Sequence, residues 1–413
     1  MTPIIVNQHG LINELATLAT YSDVPSPAVT RIHFTPVELK ARDYIRRLMR
    51  EAGLDLREDA VGNIFGRWKG ANPDLPAIAT GSHIDAIPNS GRYDGTVGVL
   101  GGIEALRALK VSGFVSQRSL EVIMFTAEEP TRFGIGCLGS RALAGSLSPD
   151  RLRSLHDSEG CDFDKVRKAA GYTAPLHTVQ LTKGFYHAFV ELHIEQGAVL
   201  EREGREIGVV TAIAAPATLR LTLHGDGGHA GTVLMPQRRD AMAAAAEIIL
   251  AVEQAARHST SLDAVATVGL CQVYPGAVNS IPSRVLMEID IRDIDLASRD
   301  MMVSYITMSI AHTCEARSLL YELLTLNADK PCYSGGDIVT GLVEIAQKRG
   351  YSYQTMVSRA YHDTLFMSEI CPTSMSFVRS QNGYSHRPEE FTASEDIVRG
   401  VTVLAEILAR LAS

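Results

Sequence analysis

Pro76-Ala77-Ile78-Ala79-Thr80-Gly81-Ser82-His83-Ile84-Asp85 is an apolar run that breaks at a glycine and then delivers an imidazole and a carboxylate. The short run reads as a buried strand. Its carboxyl end is where an α/β sheet opens its ligand clefts, so His83 is expected at the mouth of one. Asp85, two residues on, is placed to hold the second ring nitrogen, because a metal-bound histidine usually donates its other N–H to a carboxylate or carbonyl.

Working outward, a second strand-like run, Leu120–Phe125, ends in Thr126-Ala127-Glu128-Glu129-Pro130. Two adjacent acids beyond a buried strand repel each other, and a surface pair is their ordinary explanation. A bound cation removes that repulsion. It also divides the work: one acid ligates, and its neighbour stays free as a general base toward water. Between the two strands, Thr96–Leu109 has the small and apolar residues of a helix packed on a sheet. Ser90-Gly91-Arg92-Tyr93-Asp94-Gly95 sets Asp94 in a glycine turn, where turn capping is the plain reading. In the alternating Val190-Glu191-Leu192-His193-Ile194-Glu195-Gln196-Gly197, Glu191, His193 and Glu195 share one strand face, a setting in which a histidine is usually a hydrogen-bonded core residue. His386 lies in Asn382-Gly383-Tyr384-Ser385-His386-Arg387-Pro388, a loop stiffened by glycine and proline. Each residue alone has such an ordinary explanation. Together, His83, Asp94, Glu129, His193 and His386 in five separated segments read as a two-metal hydrolase site.

The 413 residues exceed what a single core usually supports, so two domains are expected, and 46% hydrophobic residues suffice for both. Thr35-Pro36-Val37-Glu38 supplies a helix start with cap, proline and N3 glutamate, and apolar residues at helical spacing follow from Leu39 to Leu54. Near Ile213 the texture changes to a strand at Thr218–Leu223, a glycine-rich turn at Gly225–Gly231, a helix over Arg239–Ala256, and strands at Ala264–Val273 and Arg284–Ile291. This β-α-β-β order predicts a small α/β domain over 213–330, inserted between segments 1–212 and 331–413 of the first. Helices are expected near Asp337–Arg349 and Ser394–Leu411. The formal net charge of −8 and the lack of a basic run argue against a nucleic-acid partner. No apolar stretch is long enough for a membrane span, and the opening residues lack a signal-peptide pattern, so a cytoplasmic location is expected. Six cysteines without C-x-x-C spacing are expected to be reduced thiols.

In Gly81–Asp85, Arg92–Gly98, Phe125–Gly139, His193–Leu200, Gly227–Thr232, Pro275–Arg284 and Tyr361–Pro388 the chain resembles the M20-type metallopeptidase superfamily. Within it, the resemblance is to the N-carbamoyl-amino-acid amidohydrolase branch of L-carbamoylases, β-ureidopropionases, allantoate amidohydrolases and ureidoglycolate amidohydrolases. It implies an α/β/α catalytic sandwich with an inserted α/β lid that pairs in a homodimer. It also implies two divalent ions (Mn²⁺, Zn²⁺, Ni²⁺ or Co²⁺), bridged by Asp94 and completed by His83 and His193 on one side and Glu129 and His386 on the other. Glu128 is then the base, His229 an oxyanion-stabilising residue reaching the partner subunit, Asn279 and Arg292 a clamp for the substrate carboxylate, and Gln196 a polar substrate contact. By the residues alone His229 reads as a turn histidine, and Arg292 equally as a surface residue paired with Asp290 or Asp293. His193 separates this branch from peptidase members, which carry a carboxylate there. In Ser358-Arg359-Ala360-Tyr361-His362-Asp363, Tyr361 stands where L-carbamoylases and allantoate amidohydrolases resemble one another in having glycine. With Gly383-Tyr384-Ser385-His386, this looks most like ureidoglycolate amidohydrolases and implies a small ureido acid as substrate.

Alternatives within the branch are allantoate and β-ureidopropionate hydrolysis. Outside it stand an M20-type peptidase or N-acyl-amino-acid deacylase, against which His193 argues, and a non-catalytic binding protein, against which the complete set of matching positions argues. Histidine and carboxylate ligands suit zinc, manganese, nickel or cobalt alike.

Overall fold

Residues buried on alternate sides of one sheet organise the larger part of the chain. The computed structural model describes residues 2–413. Inside the short strands Cys332–Tyr333 and Tyr353–Ser358, both paired with Ile207–Ile213, the sheet runs Ile207–Ile213, Thr373–Val378, Tyr186–Ile194, Ala77–His83, Leu120–Phe125, Ile64–Trp68 and Asp55–Glu58. The four strands from Thr373–Val378 to Leu120–Phe125 are parallel, and the flanking ones antiparallel. Ile78, Val122, Met124 and Leu192 pack into one core with helices Pro36–Glu51, Thr96–Val111, Gly336–Arg349 and Ser394–Ala412. Ala77, Ala79, Ile123, Phe125 and Phe189 enter a second core on the opposite face. The period of two along each strand thus makes an α/β/α sandwich, and the continuous apolar runs reflect burial on both faces.

The chain forms two compact units: residues 2–212, Tyr333–Ser358 and His362–Ser413 in one, and Ile213–Cys332 with Arg359–Tyr361 in the other. The second unit therefore runs two residues past the expected boundary at 330. It also takes Arg359–Tyr361 out of the expected segment 331–413. The physical reason is side-chain anchorage: Arg359 pairs with Asp263, its carbonyl accepts from Arg292 at 2.8 Å, and the Tyr361 hydroxyl bonds Asp329.

The second unit is a four-stranded antiparallel sheet, in the order Val265–Tyr274, Arg284–Asp293, Ala215–His224, Leu320–Ala328. Helices Ala241–Arg257 and Leu296–Ala316 cover one of its faces. Helix Leu296–Ala316 and strand Leu320–Ala328 are absent from the β-α-β-β reading. The helix buries Met302, Ile306 and Ile310 but exposes Met301, Tyr305 and Met308, so it has no single apolar stripe to read.

Local chemistry sets the helix starts. Helix Pro36–Glu51 is capped by Thr35, whose hydroxyl accepts from the Glu38 N–H at 3.4 Å. The Glu38 carboxylate, expected to close a capping box, instead accepts from the Phe34 N–H at 3.1 Å and pairs with buried Arg42 at 2.6 Å. Helix Thr96–Val111 lies directly on the sheet because Gly98 has no side chain: a Cβ there would sit 2.5 Å from the Leu192 carbonyl oxygen and 2.6 Å from the Ser82 Cβ. Gly98→Ala should therefore lower the melting temperature, by an amount corresponding to about 1–3 kcal/mol of overpacking. Gly336→Ala, where a Cβ meets nothing, should not. Equal melting temperatures for the two variants would refute the tight helix-to-sheet contact.

Candidate metal centre

The carboxyl ends of the parallel strands deliver the polar residues. His83 is the last residue of its strand and 2% exposed. Gly81, two residues earlier, has φ +154°, and a Cβ there would lie 1.9 Å from the Ile123 carbonyl oxygen. Asp94 is held through its backbone: Glu390 accepts the N–H groups of Tyr93 and Asp94 at 2.7 and 3.1 Å. Gly95 then turns the chain at φ +65°, and a Cβ there would sit 2.4 Å from His83 Nε2, so only glycine lets the helix start approach this closely. Asp85 fixes the two adjacent acids, its carboxylate accepting from the N–H groups of Glu128 and Glu129 at 3.2 and 3.0 Å. Three non-glycine residues here adopt left-handed backbone: Ala127 (φ 51°) before the acid pair, Gln196 (φ 57°) and His386 (φ 58°). Such conformations cost of order 1–3 kcal/mol each and gather where the surroundings force a geometry.

The structure brings together all five sequence-predicted ligands, in two sets that share Asp94: His83, Asp94 and His193, and Asp94, Glu129 and His386. Asp94 Oδ1 faces His83 Nε2 at 3.6 Å and His193 Nε2 at 3.2 Å. Its Oδ2 faces His386 Nε2 at 3.2 Å, and the same nitrogen lies 3.1 Å from Glu129 Oε1. Donors about 2.0–2.1 Å from a tetrahedral ion are roughly 3.3 Å apart, so these separations fit a divalent cation in each set. The tautomers fit as well. His83 Nδ1 is 3.1 Å from the Asp85 carbonyl and His193 Nδ1 2.9 Å from the Ile194 carbonyl, and an N–H donated there leaves each Nε2 lone pair pointing inward. Asp85 thus serves the His83 ring through its backbone oxygen. Its carboxylate, 3.6 Å from Nδ1, is engaged with the acid pair instead.

Charge points the same way. Burial alone would lower the His83 pKa, but Glu128, Asp85 and Asp94 outweigh it and hold the ring well above its ordinary range. Hydrogen bonds to Asp94 and Glu129 push His386 up to about 11. Burial pushes Glu128 well above the usual carboxylate range, with Glu129, Asp363 and Asp85 adding to the effect and His83 opposing it. Burial would likewise raise Asp94, yet bonds from His193, His386 and His83 carry it well below. The acids favour protons on the imidazoles, a positive charge that cations at these donors would replace.

Gln196 donates to Asp94 Oδ2 at 2.8 Å, so its amide is turned toward the bridging carboxylate. Ser385 donates to the same oxygen at 2.8 Å and lies 3.2 Å from Glu390 Oε2. Ser385 and Glu390 were given no role in the sequence reading. The available signal was an acid two residues beyond Pro388, in the same loop as His386. Glu191 braces the frame of the site: fully buried, it accepts from Ser82 at 2.7 Å and from the Thr364 N–H at 3.2 Å, tying the strand that ends in His83 to the segment after His362. Within the other unit, His229 and Asn279 come together at one tip, where His229 pairs with Ser280 and the Ala230 N–H donates to the Asn279 carbonyl at 2.9 Å. Arg292 bonds Asp290 at 2.7 Å and the carbonyl of Arg359, two residues before Tyr361.

The chain matches the model of peptidase family M20/M25/M40 over residues 79–410. It is 52% identical to ureidoglycolate hydrolase of Arabidopsis thaliana, with 98% of this chain and 87% of that protein aligned. It is 39% identical to N-carbamoyl-L-amino acid amidohydrolase of Geobacillus stearothermophilus, over 99% of each. The crystal structure of AtUAH in complex with glyoxylate superposes with a TM-score of 0.91 at 51% identity, covering 99% of this chain and 98% of that one. With one acid shared between two histidine-containing ligand sets, and with this match along most of its length, the chain belongs to peptidase family M20/M25/M40.

Proposed function

We propose that the protein is a metal-dependent amidohydrolase that cleaves the ureido C–N bond of a small ureido acid, with ureidoglycolate as its substrate. The observation that carries this reading is Asp94, whose two oxygens face different ligand sets while Glu128 stands beside His83 outside both of them. The names of the relatives, a ureidoglycolate hydrolase and an N-carbamoyl-L-amino acid amidohydrolase, support the ureido bond as the target. His193 supports it over a peptide bond.

A ureido carbonyl is a poor electrophile because two nitrogens donate into it. His83, Asp94, Glu129, His193 and His386 would hold divalent ions, which would supply Lewis acidity toward that carbonyl and toward water. Glu128 takes the proton of the attacking water as the new C–O bond forms at the carbamoyl carbon. It then passes the proton to the departing nitrogen as the C–N bond breaks, and the carbamate left behind decays to ammonia and carbon dioxide. His229 stabilises the developing oxyanion, a role in which one well-placed donor is worth about 10²–10³ in rate. Arg292 and Asn279 hold the substrate carboxylate. The guanidinium is oriented for this by Asp290 and the Arg359 carbonyl, and it offers the parallel donors that a carboxylate needs. Tyr361 limits the room for the substrate, and Gln196, whose amide is turned toward the Asp94 carboxylate, contributes a polar contact.

The protein works as a homodimer formed through the inserted unit. Its two helices expose Met242, Leu250, Met301 and Met308, all more than half accessible, opposite the faces that bury Ala244, Ile248, Met302 and Ile306. Exposed apolar side chains grouped on helices already packed on one side support this reading.

Glu128→Gln should retain its metal, measured by elemental analysis, and lose turnover of ureidoglycolate by roughly 10²–10⁴. Loss of the metal instead would assign Glu128 to the ligands. Mixing His229→Ala with Glu128→Gln chains should restore activity, since a hybrid dimer holds one intact set of groups if His229 acts on the partner's substrate. A mixture as inactive as its parents, with subunit exchange demonstrated by native mass spectrometry, would refute action in trans. In a substrate panel, ureidoglycolate should be turned over faster than N-carbamoyl-L-methionine or a dipeptide, and the reverse order would transfer the protein to the carbamoylases or the peptidases.

A further inference from the structure

The Glu128 carboxylate has two oxygens in different surroundings. Oε2 lies 3.8 Å from His83 Nε2, on the side of the metal ligands. Oε1 lies 3.5 Å from the thiol of Cys137, which donates to it. Cys137 is fully buried, and its position is set with unusual strictness. Its own N–H donates to the Glu128 carbonyl at 2.7 Å, the Leu138 N–H to the Ala127 carbonyl at 2.9 Å, and the Gly139 N–H to the Thr126 carbonyl at 2.8 Å. The chain after the acid pair therefore folds back and zips onto the residues that carry it. Ala127 and Cys137, one on each side of this ladder, both have left-handed backbone, at φ 51° and 54°. Gly136 has no side chain at the point where a Cβ would lie 2.9 Å from the Glu128 carbonyl oxygen. Strain on both sides of a three-rung ladder is a high cost for a surface return loop. It is intelligible if the ladder exists to set one side chain against another.

We infer that Cys137 is a positioning residue: its thiol fixes Glu128 Oε1 so that Oε2 alone is presented for proton transfer. A carboxylate free to rotate about its last torsion would offer either oxygen at variable distance, and small misplacements of a reacting group cost large factors in rate. The Asp85 carboxylate holds the backbone N–H of Glu128, burial confines its side chain, and the thiol sets which way the carboxylate faces. The inference rests on Glu128 being the base.

Cys137→Ser and Cys137→Ala have nearly the same size at the same backbone angle and differ in whether a donor remains. The alanine variant should lose about ten- to a hundredfold in kcat, with KM for ureidoglycolate within twofold and metal content unchanged, because only the geometry of proton transfer is disturbed. The serine variant should keep kcat within about threefold, and the two should melt at the same temperature. Cys137→Gly, which suits the left-handed backbone, takes the place of the alanine variant if that one does not fold. Equal kcat in the serine and donor-less variants, whether both intact or both reduced, overturns the inference. Full turnover by Glu128→Gln would instead overturn the base assignment and this inference with it, whereas an inactive Glu128→Gln beside a fully active Cys137→Ala removes only the role of Cys137.

Discussion

One carboxylate has to face two ways. Asp94 Oδ1 is turned to His83 and His193 and its Oδ2 to His386, and nearly everything around it serves to keep it so. Its backbone is held by Glu390 and its Oδ2 by the side chains of Gln196 and Ser385. The following residue must be glycine because the His83 ring occupies the space of a Cβ. Three chain segments that are remote in sequence thus converge on one side chain. A substitution in any of them acts on the same two oxygens.

The sandwich fold makes this convergence possible. Parallel strands with helices on both faces end together at one edge of the sheet, so His83, the acid pair after Phe125, and His193 come together from three strands that are neighbours. The edge also gathers Asp85, Asp94, Glu128, Glu129, Glu191, Asp363 and Glu390, every one of them less than 10% exposed. Buried carboxylates in such number need positive charge close by, and three imidazoles with raised pKa supply part of it. Cations at these donors would supply it more completely. The electrostatic requirement and the proposed chemistry are therefore one feature seen from two sides.

Much of this was legible in the chain because strong local signals carried it. The run before His83 is uncharged and buried on both faces, and the acid pair stands immediately after a strand and before a proline, so both motifs announced their position. Cap residues marked helix Pro36–Glu51 within a few residues of its observed ends. What escaped reading was what depends on tertiary contact. Helix Leu296–Ala316 is apolar on two sides, one turned to its own core and one exposed, and period analysis sees neither. Glu38 was legible as a cap but not as the partner of buried Arg42. Ser385 and Glu390 look like ordinary loop residues until the fold sets them against Asp94. Cys137 belongs to the same class: nothing in a scattered cysteine signals a thiol against a buried acid.

With one oxygen toward each ligand set, Asp94 is proposed to join two cations. Crystals grown with Mn²⁺ and measured at a wavelength where manganese scatters anomalously would show where the ions sit. Two anomalous peaks per chain are expected, one among His83, Asp94 and His193 and the other among Asp94, Glu129 and His386, with one Asp94 oxygen on each. A single peak, or a peak at the buried group of Glu191, His193 and His362 instead, would contradict that proposal.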